Sequence, residues 1–257
     1  MELCYHTSGD NMKIIKRILL VLCLGLIITA GVIYYLNSTI IRTPARVVFL
    51  DTIQKAENTY MEAYRQNLLN EFNTYYTVNN DYQGMLTFDS GIISEKVVLA
   101  EDNDKYLRKD FNLKRDDEGT VFMDMDCNLD SRNITMYGHY VYYNSKAKFS
   151  PLHLLAKEKN YESNKYITFK LKEEIRTYEI FAVYYYDWRY EDAYFYNTAD
   201  FQTAEGFQRH VNNSIKRALY KTNVKVNDDD NLLTLQTCVR NKKNSRLIVV
   251  AKEIDRK

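Results

Sequence analysis

Between Ile18 and Leu36 the chain carries nineteen consecutive residues without a charge, and no other segment constrains its architecture as sharply. At about 1.5 Å rise per residue, a helix of that length nearly spans a hydrocarbon layer roughly 30 Å thick, so the run predicts one membrane-crossing helix. Lys13, Lys16 and Arg17 crowd its N-terminal end, whereas the other flank stays uncharged through Ile41, with Arg42 and Arg46 farther off. Basic residues favour the cytoplasmic side, which keeps residues 1–17 in the cytoplasm and puts everything after Leu36 outside the cell. A cleaved signal peptide is the competing reading. Against it, the run exceeds the usual apolar core of about 7 to 15 residues, and Thr29-Ala30-Gly31 is a poor small-x-small cleavage site. No second apolar run of this length follows.

The exported part then has to be a folded domain. Hydrophobic residues make up 46% of the chain, with only eight Gly and two Pro, which excludes a disordered or collagen-like polymer. Thirty-five basic against thirty-four acidic side chains leave a formal net charge of +1, so no broad positive field favours nucleic acid as a partner. Of the four cysteines, Cys4 is cytoplasmic and Cys23 intramembrane on this topology. Cys127 and Cys238 remain outside, either as one structural disulfide or as free thiols, and sequence alone does not measure the distance that a disulfide requires. No C-x-x-C or Cys/His spacing suggests zinc. The acidic clusters Asp124-x-Asp126 and Asp228 to Asp230 lack the order of a calcium loop and read as solvated turns.

Past the anchor, residues 37–80 form a linker and a helical N-terminal region. Ile53, Ala56, Tyr60, Tyr64, Leu68 and Phe72 fall at helical spacing on one predicted face, as one long helix or two short ones. Residues 81–257 form the main domain, in which from Gly91 onward the pattern changes to short β-rich runs: Val97–Leu99, Thr120–Met123, Asn133–Tyr140, Tyr166–Leu171, Arg176–Tyr186, Leu232–Cys238 and Arg246–Ile254. Seven or eight strands of this kind predict a mainly β barrel or sandwich. One helix interrupts them, because Phe207, Val211, Ile215 and Leu219 recur every four residues between Thr203 and Lys221.

Three residues carry the chemistry. In the strand Leu233-Thr234-Leu235-Gln236-Thr237-Cys238, alternation puts Leu233, Leu235 and Thr237 on one face and Thr234, Gln236 and Cys238 on the other. The thiol therefore ends a strand on its more polar face. Arg246 opens the next strand after a short, polar and basic loop, Arg240 to Asn244, so an antiparallel pair would bring Cys238 and Arg246 across from one another. Upstream, Tyr137-Gly138-His139 ends another predicted strand and offers an imidazole that can exchange a proton with the thiol. Taken singly, each has a bland reading: a buried small hydrophobe, a strand-end histidine, a solvated edge arginine. Their combination on an exported chain is what points to a thiol nucleophile, an imidazole that exchanges its proton and a nearby arginine.

Together these segments resemble the sortases, and more closely their class B. The resemblance runs from about Leu86 to Ile254. It rests on Asn103-Asp104-Lys105-Tyr106-Leu107, Gly119-Thr120-Val121-Phe122-Met123-Asp124, Asn133 to His139, Thr234 to Cys238 and Arg246, with the helix inserted between two late strands. It implies a sortase-type β-barrel of seven or eight strands with N-terminal helices and one long inserted helix. It also implies a cysteine transpeptidase of the Gram-positive cell surface with His139, Cys238 and Arg246 as catalytic residues and Gln236 and Thr237 facing substrate. Such an enzyme cleaves the C-terminal sorting signal of a secreted protein after Thr through a thioester and passes the acyl group to a peptidoglycan amine, without metal or organic cofactor. Tyr140, Gln236 and Val239 depart from the usual class B residues near the groove, which bears on the preferred signal. The absence of an Asp-Pro-aromatic lid and of a C-terminal membrane helix argues against a pilin polymerase. A pilin-joining enzyme and a non-catalytic surface-binding module on the same fold are the alternatives. A papain-like hydrolase is disfavoured because its cysteine opens a helix, whereas Cys238 ends a strand.

Overall fold

The computed structural model describes residues 22, 25–34, 44–189 and 195–257. Of the apolar run, Leu22 and residues 25–34 are described; they are helical and, apart from Ile33, exposed. Among the described residues no helix is long and apolar enough to cross a membrane. The rest of the run, its basic flank, Cys4 and Cys23 lie outside them. Two compact units are present, one ending at Met61 and the other spanning Glu62–Lys257.

A single helix, Pro44–Tyr76, replaces the one-or-two alternative. Its predicted face is only partly buried. Tyr64, Leu68 and Phe72 are covered, whereas Ala56 and Tyr60 are exposed. In the second unit this helix packs Phe72 and Tyr75 on the Tyr82 ring at centroid distances of 5.0 and 5.3 Å, and Glu71 meets Lys170 Nζ at 2.9 Å.

The second unit is a closed barrel of eight strands in the order β1-β2-β3-β4-β7-β8-β6-β5. They are β1 Tyr82–Phe88, β2 Ser94–Val98, β3 Val121–Met123, β4 Asn133–Tyr137, β5 Tyr166–Lys170, β6 Ile175–Asp187, β7 Leu232–Val239 and β8 Lys242–Arg256. Closure leaves no free sheet edge. The interior is filled by alternate residues such as Leu86, Phe88, Ile134, Phe169, Leu233, Leu235 and Val249, all fully or nearly fully buried. Burying each Leu, Ile or Phe contributes about 1.5–3 kcal/mol. Residues of opposite parity on β6, β7 and β8, including Tyr184, Leu232 and Ile248, form a second apolar layer with Phe207 and Val211 of the inserted helix.

Three sequence expectations change. Strand β1 lay outside the predicted β-rich runs although Tyr82, Leu86 and Phe88 alternate inward. Gly84 interrupts the pattern because β1 and β5 approach too closely there for a side chain: a Cβ would collide with Lys170 O and the Phe169 ring. The inserted helix is shorter than predicted, Ala204–Arg217, capped by Thr203, whose side chain accepts from Gly206 N–H. Its buried face is Phe207, His210, Val211 and Ser214, while Ile215 and Leu219 are 47% and 44% exposed. A strict four-residue repeat drifts about 40° per step around a helix of 3.6 residues per turn, so Ile215 rotates off the face, and Leu219 lies beyond the helix end at Arg217. Finally, Arg240 to Asn244 is not a loop. β8 begins at Lys242, leaving Arg240 and Asn241 as the turn, with Asn241 left-handed at φ 60°.

Candidate active site

Strand β7 lies between β4 and β8, and the three candidate residues gather at its C-terminal end. β4 and β7 run parallel with Tyr137 opposite Gln236, and Gly138 N–H donates to Gln236 O at 3.1 Å. Two residues farther along each chain come His139 and Cys238. On the other side β7 and β8 are antiparallel and Cys238 is the direct partner of Arg246. The register slips immediately afterwards, between Cys238 and Val239. This bulge reconciles the early start of β8 with the predicted Cys238/Arg246 pairing, since it absorbs the extra residues in the hairpin.

The surroundings of each side chain define what it can do. Cys238 is a half-buried free thiol. His139 places Nε2 2.7 Å from Leu107 O. A carbonyl only accepts, so Nε2 carries a proton and exchange with a neighbouring thiol or amine falls to Nδ1. Arg246 donates from Nη1 to Lys243 O at 3.0 Å and Ser245 O at 3.1 Å, which fixes the plane of a half-buried guanidinium on the strand position opposite Cys238. Ser245 in turn donates to Asp187, 3.2 Å away, whose carboxyl is held well below the usual carboxylate range by its hydrogen bonds with Arg189. Gln236 shares the face of Cys238 and is 8% exposed, whereas Thr237 is 0% exposed, at a position that alternates with theirs.

Two contacts escaped the sequence reading. Leu107 stands in the Asn103 to Leu107 segment, but its role here is a backbone carbonyl and leaves no side-chain signature. His153 was given no role; its Nε2 lies 3.0 Å from Cys238 O and its ring meets Tyr140 edge-on at 4.8 Å. Beside them opens a groove of about 990 Å³ whose lining includes Tyr140, His153, Lys146, Lys157 and Glu95.

Gly138 is required by sterics. A Cβ there would lie 2.6 Å from the ring of Phe149, which is fully buried. Gly138→Ala is expected to cost about 1–3 kcal/mol by overpacking and, by displacing His139, about tenfold or more in turnover. Denaturant unfolding and steady-state kinetics on the same preparation check both.

Cys127 is also a free thiol, so the disulfide alternative is not realised. It sits in the barrel core and accepts from Thr135 N–H at 3.4 Å. Burial, more than the nearby Asp124, Asp200 and Asp126 carboxylates, pushes its thiol up to about 11. The thiolate is the reactive form, so of Cys127 and Cys238 a thiol reagent near pH 8 should modify only Cys238 until the protein is unfolded, and Cys127→Ser should retain activity. Peptide mapping after alkylation, with and without denaturant, reads this out. The acidic clusters serve local structure: Asp124 accepts from Tyr137 OH and Asp126 N–H, and Asp230 pairs with Lys252 at 2.9 Å.

Comparison with known proteins places this geometry. The family model of the sortase domain matches residues 92–254. Sortase B of Staphylococcus aureus is 25% identical over 248 residues, covering 95% of this chain and 98% of the relative. Sortase B of Listeria monocytogenes is 25% identical over 68% of this chain and 70% of its own length. Among solved structures, Clostridium perfringens sortase B superimposes with a TM-score of 0.65 at 30% identity, over 71% of this chain and 99% of that one. The S. aureus sortase B crystal structure gives 0.68 at 24% identity, over 80% and 96%.

Proposed function

Because the chain belongs to the sortase family, and within it to class B, we propose that it anchors secreted proteins to the cell wall as a cysteine transpeptidase. In this reading the Cys238 thiolate attacks the Thr carbonyl of a C-terminal sorting signal. Arg246 and backbone N–H groups hold the oxyanion, a contribution worth about 10²–10³-fold per donor. His139 gives a proton from Nδ1 to the departing amine as the peptide C–N bond breaks, which leaves a Cys238 thioester. A peptidoglycan amine then attacks the thioester, returns a proton to His139 and releases the thiolate as the new amide forms. Gln236, on the nucleophile's face, contacts the signal near Thr. Thr237, with its side chain buried, contributes through its backbone.

The observation that supports this reading is the register of β4, β7 and β8, in which Cys238 is opposite Arg246 and flanked by the strand end that bears His139. The same reading makes residues 1–17 cytoplasmic, 18–36 a membrane anchor, 37–80 an extracellular linker and helix, and 81–257 the catalytic domain. The exposed apolar helix of residues 25–34 supports the anchor. Protease added to protoplasts should then digest Leu50 to Lys257 and spare the extreme N-terminus; protection of the C-terminal part would overturn the topology.

The chemistry is tested by incubating the detergent-solubilised protein with sorting-signal peptides, with and without a short amine acceptor. An amide-linked product that ends at the peptide's Thr is expected. Release of free acid alone in the presence of amine would make the protein a hydrolase, and no cleavage of any signal would favour the binding module.

A further inference from the structure

The carbonyl of Cys238 lies where the β-ladder gives out. Along β7, Gln236 O accepts from Gly138 N–H of the β4 chain. Carbonyls two residues apart on a strand point to the same side, so Cys238 O is directed past the end of β4 at Tyr137. On the other edge the register with β8 slips directly after Cys238. A carbonyl at such a place needs a partner from elsewhere, and it meets His153 Nε2 at 3.0 Å.

His153 is held firmly enough to serve. It belongs to the 3₁₀ helix Ser150–Ala156, where Pro151, Leu152 and Leu155 are buried. Tyr220 OH donates to Leu155 O at 2.8 Å, and Val141 N–H donates to Ser150 Oγ at 2.7 Å. The residue before this helix makes a matching contact, because Phe149 N–H donates to His139 O at 3.2 Å. One short segment therefore carries a donor to the backbone of each candidate reacting residue.

We propose that His153 is a positioning residue: its Nε2–H fixes the Cys238 peptide, and with Phe149 N–H on His139 the segment Phe149–His153 sets the spacing between nucleophile and acid. The neutral ring suffices for this, since burial lowers the imidazole pKa and the neutral tautomer that donates from Nε2 satisfies the carbonyl. The inference rests on Cys238 being the nucleophile, as proposed above.

The test compares His153→Leu, which removes the donor, with His153→Gln, whose amide nitrogen reaches a similar point. The full-length protein in detergent is assayed with a sorting-signal peptide, and rates are expressed per folded molecule from the unfolding curve. His153→Leu should lower kcat about five- to tenfold, the scale of one hydrogen bond at a positioned group. KM should stay within about twofold, as when an interaction that favours the transition state is lost. His153→Gln should recover kcat. If the Leu variant does not fold, His153→Asn, whose amide stops one bond short, takes its place with the same expected loss. Wild-type kcat without the donor, equal losses in the Gln variant, or an effect confined to KM would overturn the proposal. Cys238→Ala is assayed alongside: turnover retained there overturns both readings, whereas its loss together with wild-type kcat in His153→Leu overturns this one alone.

Discussion

Cys238→Ala should form neither acyl-enzyme nor amide product, and His139→Ala should fall nearly as far, each by about 10⁴-fold or more, the scale on which a nucleophile or its base is lost. In the proposed mechanism the two act as one unit. Without the thiol no bond forms to the Thr carbonyl, and without the imidazole the amine leaves as a poor anion. Both residues are half-buried at strand ends, so truncation should leave the unfolding midpoint near that of the wild type. Product analysis by mass spectrometry checks the rates and a thermal melt checks the fold. Substantial turnover in either variant would remove that residue from the mechanism.

Arg246→Lys is the second large effect, with an expected loss on the order of 10²-fold or more in kcat/KM. Arg246 can spend Nη1 on Lys243 O and Ser245 O and still offer other nitrogens of its rigid fork to an oxyanion. A lysine ammonium keeps the charge but is a single point on a flexible stem, so it cannot hold both carbonyls and meet the substrate in one plane. Near-normal activity in the Lys variant would mean that Arg246 supplies charge alone or stands outside the site.

How far the site was legible depends on which kind of contact builds it. The opposite faces of Leu235 and Cys238 follow from strand alternation, and the pairing of Cys238 with Arg246 follows from a hairpin, so both could be read from residue order. The bulge that maintains that pairing could not. Lys242, Lys243, Asn244 and Ser245 carry no β signal of their own; the stretch is paired into the sheet only at its ends, Lys242 opposite Val239 of β7 and Ser245 opposite Asp187 of β6. Leu107 and His153 were invisible for a related reason. One acts through a backbone carbonyl and the other on one, and such contacts arise from the barrel's closure and leave no periodicity. The same holds for Gly84, whose lack of a side chain reads as a break in a strand and is instead the condition for β1 to meet β5.

A thioester on Cys238 is the intermediate on which the proposed mechanism turns, and it is visible in the intact mass of the protein. Mixed with a sorting-signal peptide in the absence of an amine, the protein should gain the mass of the acyl fragment that ends in Thr. The adduct should map to the peptide containing Cys238, and hydroxylamine or an amine acceptor should discharge it. Turnover with no such adduct under any quench, or an adduct that maps to another residue, would remove Cys238 as the nucleophile.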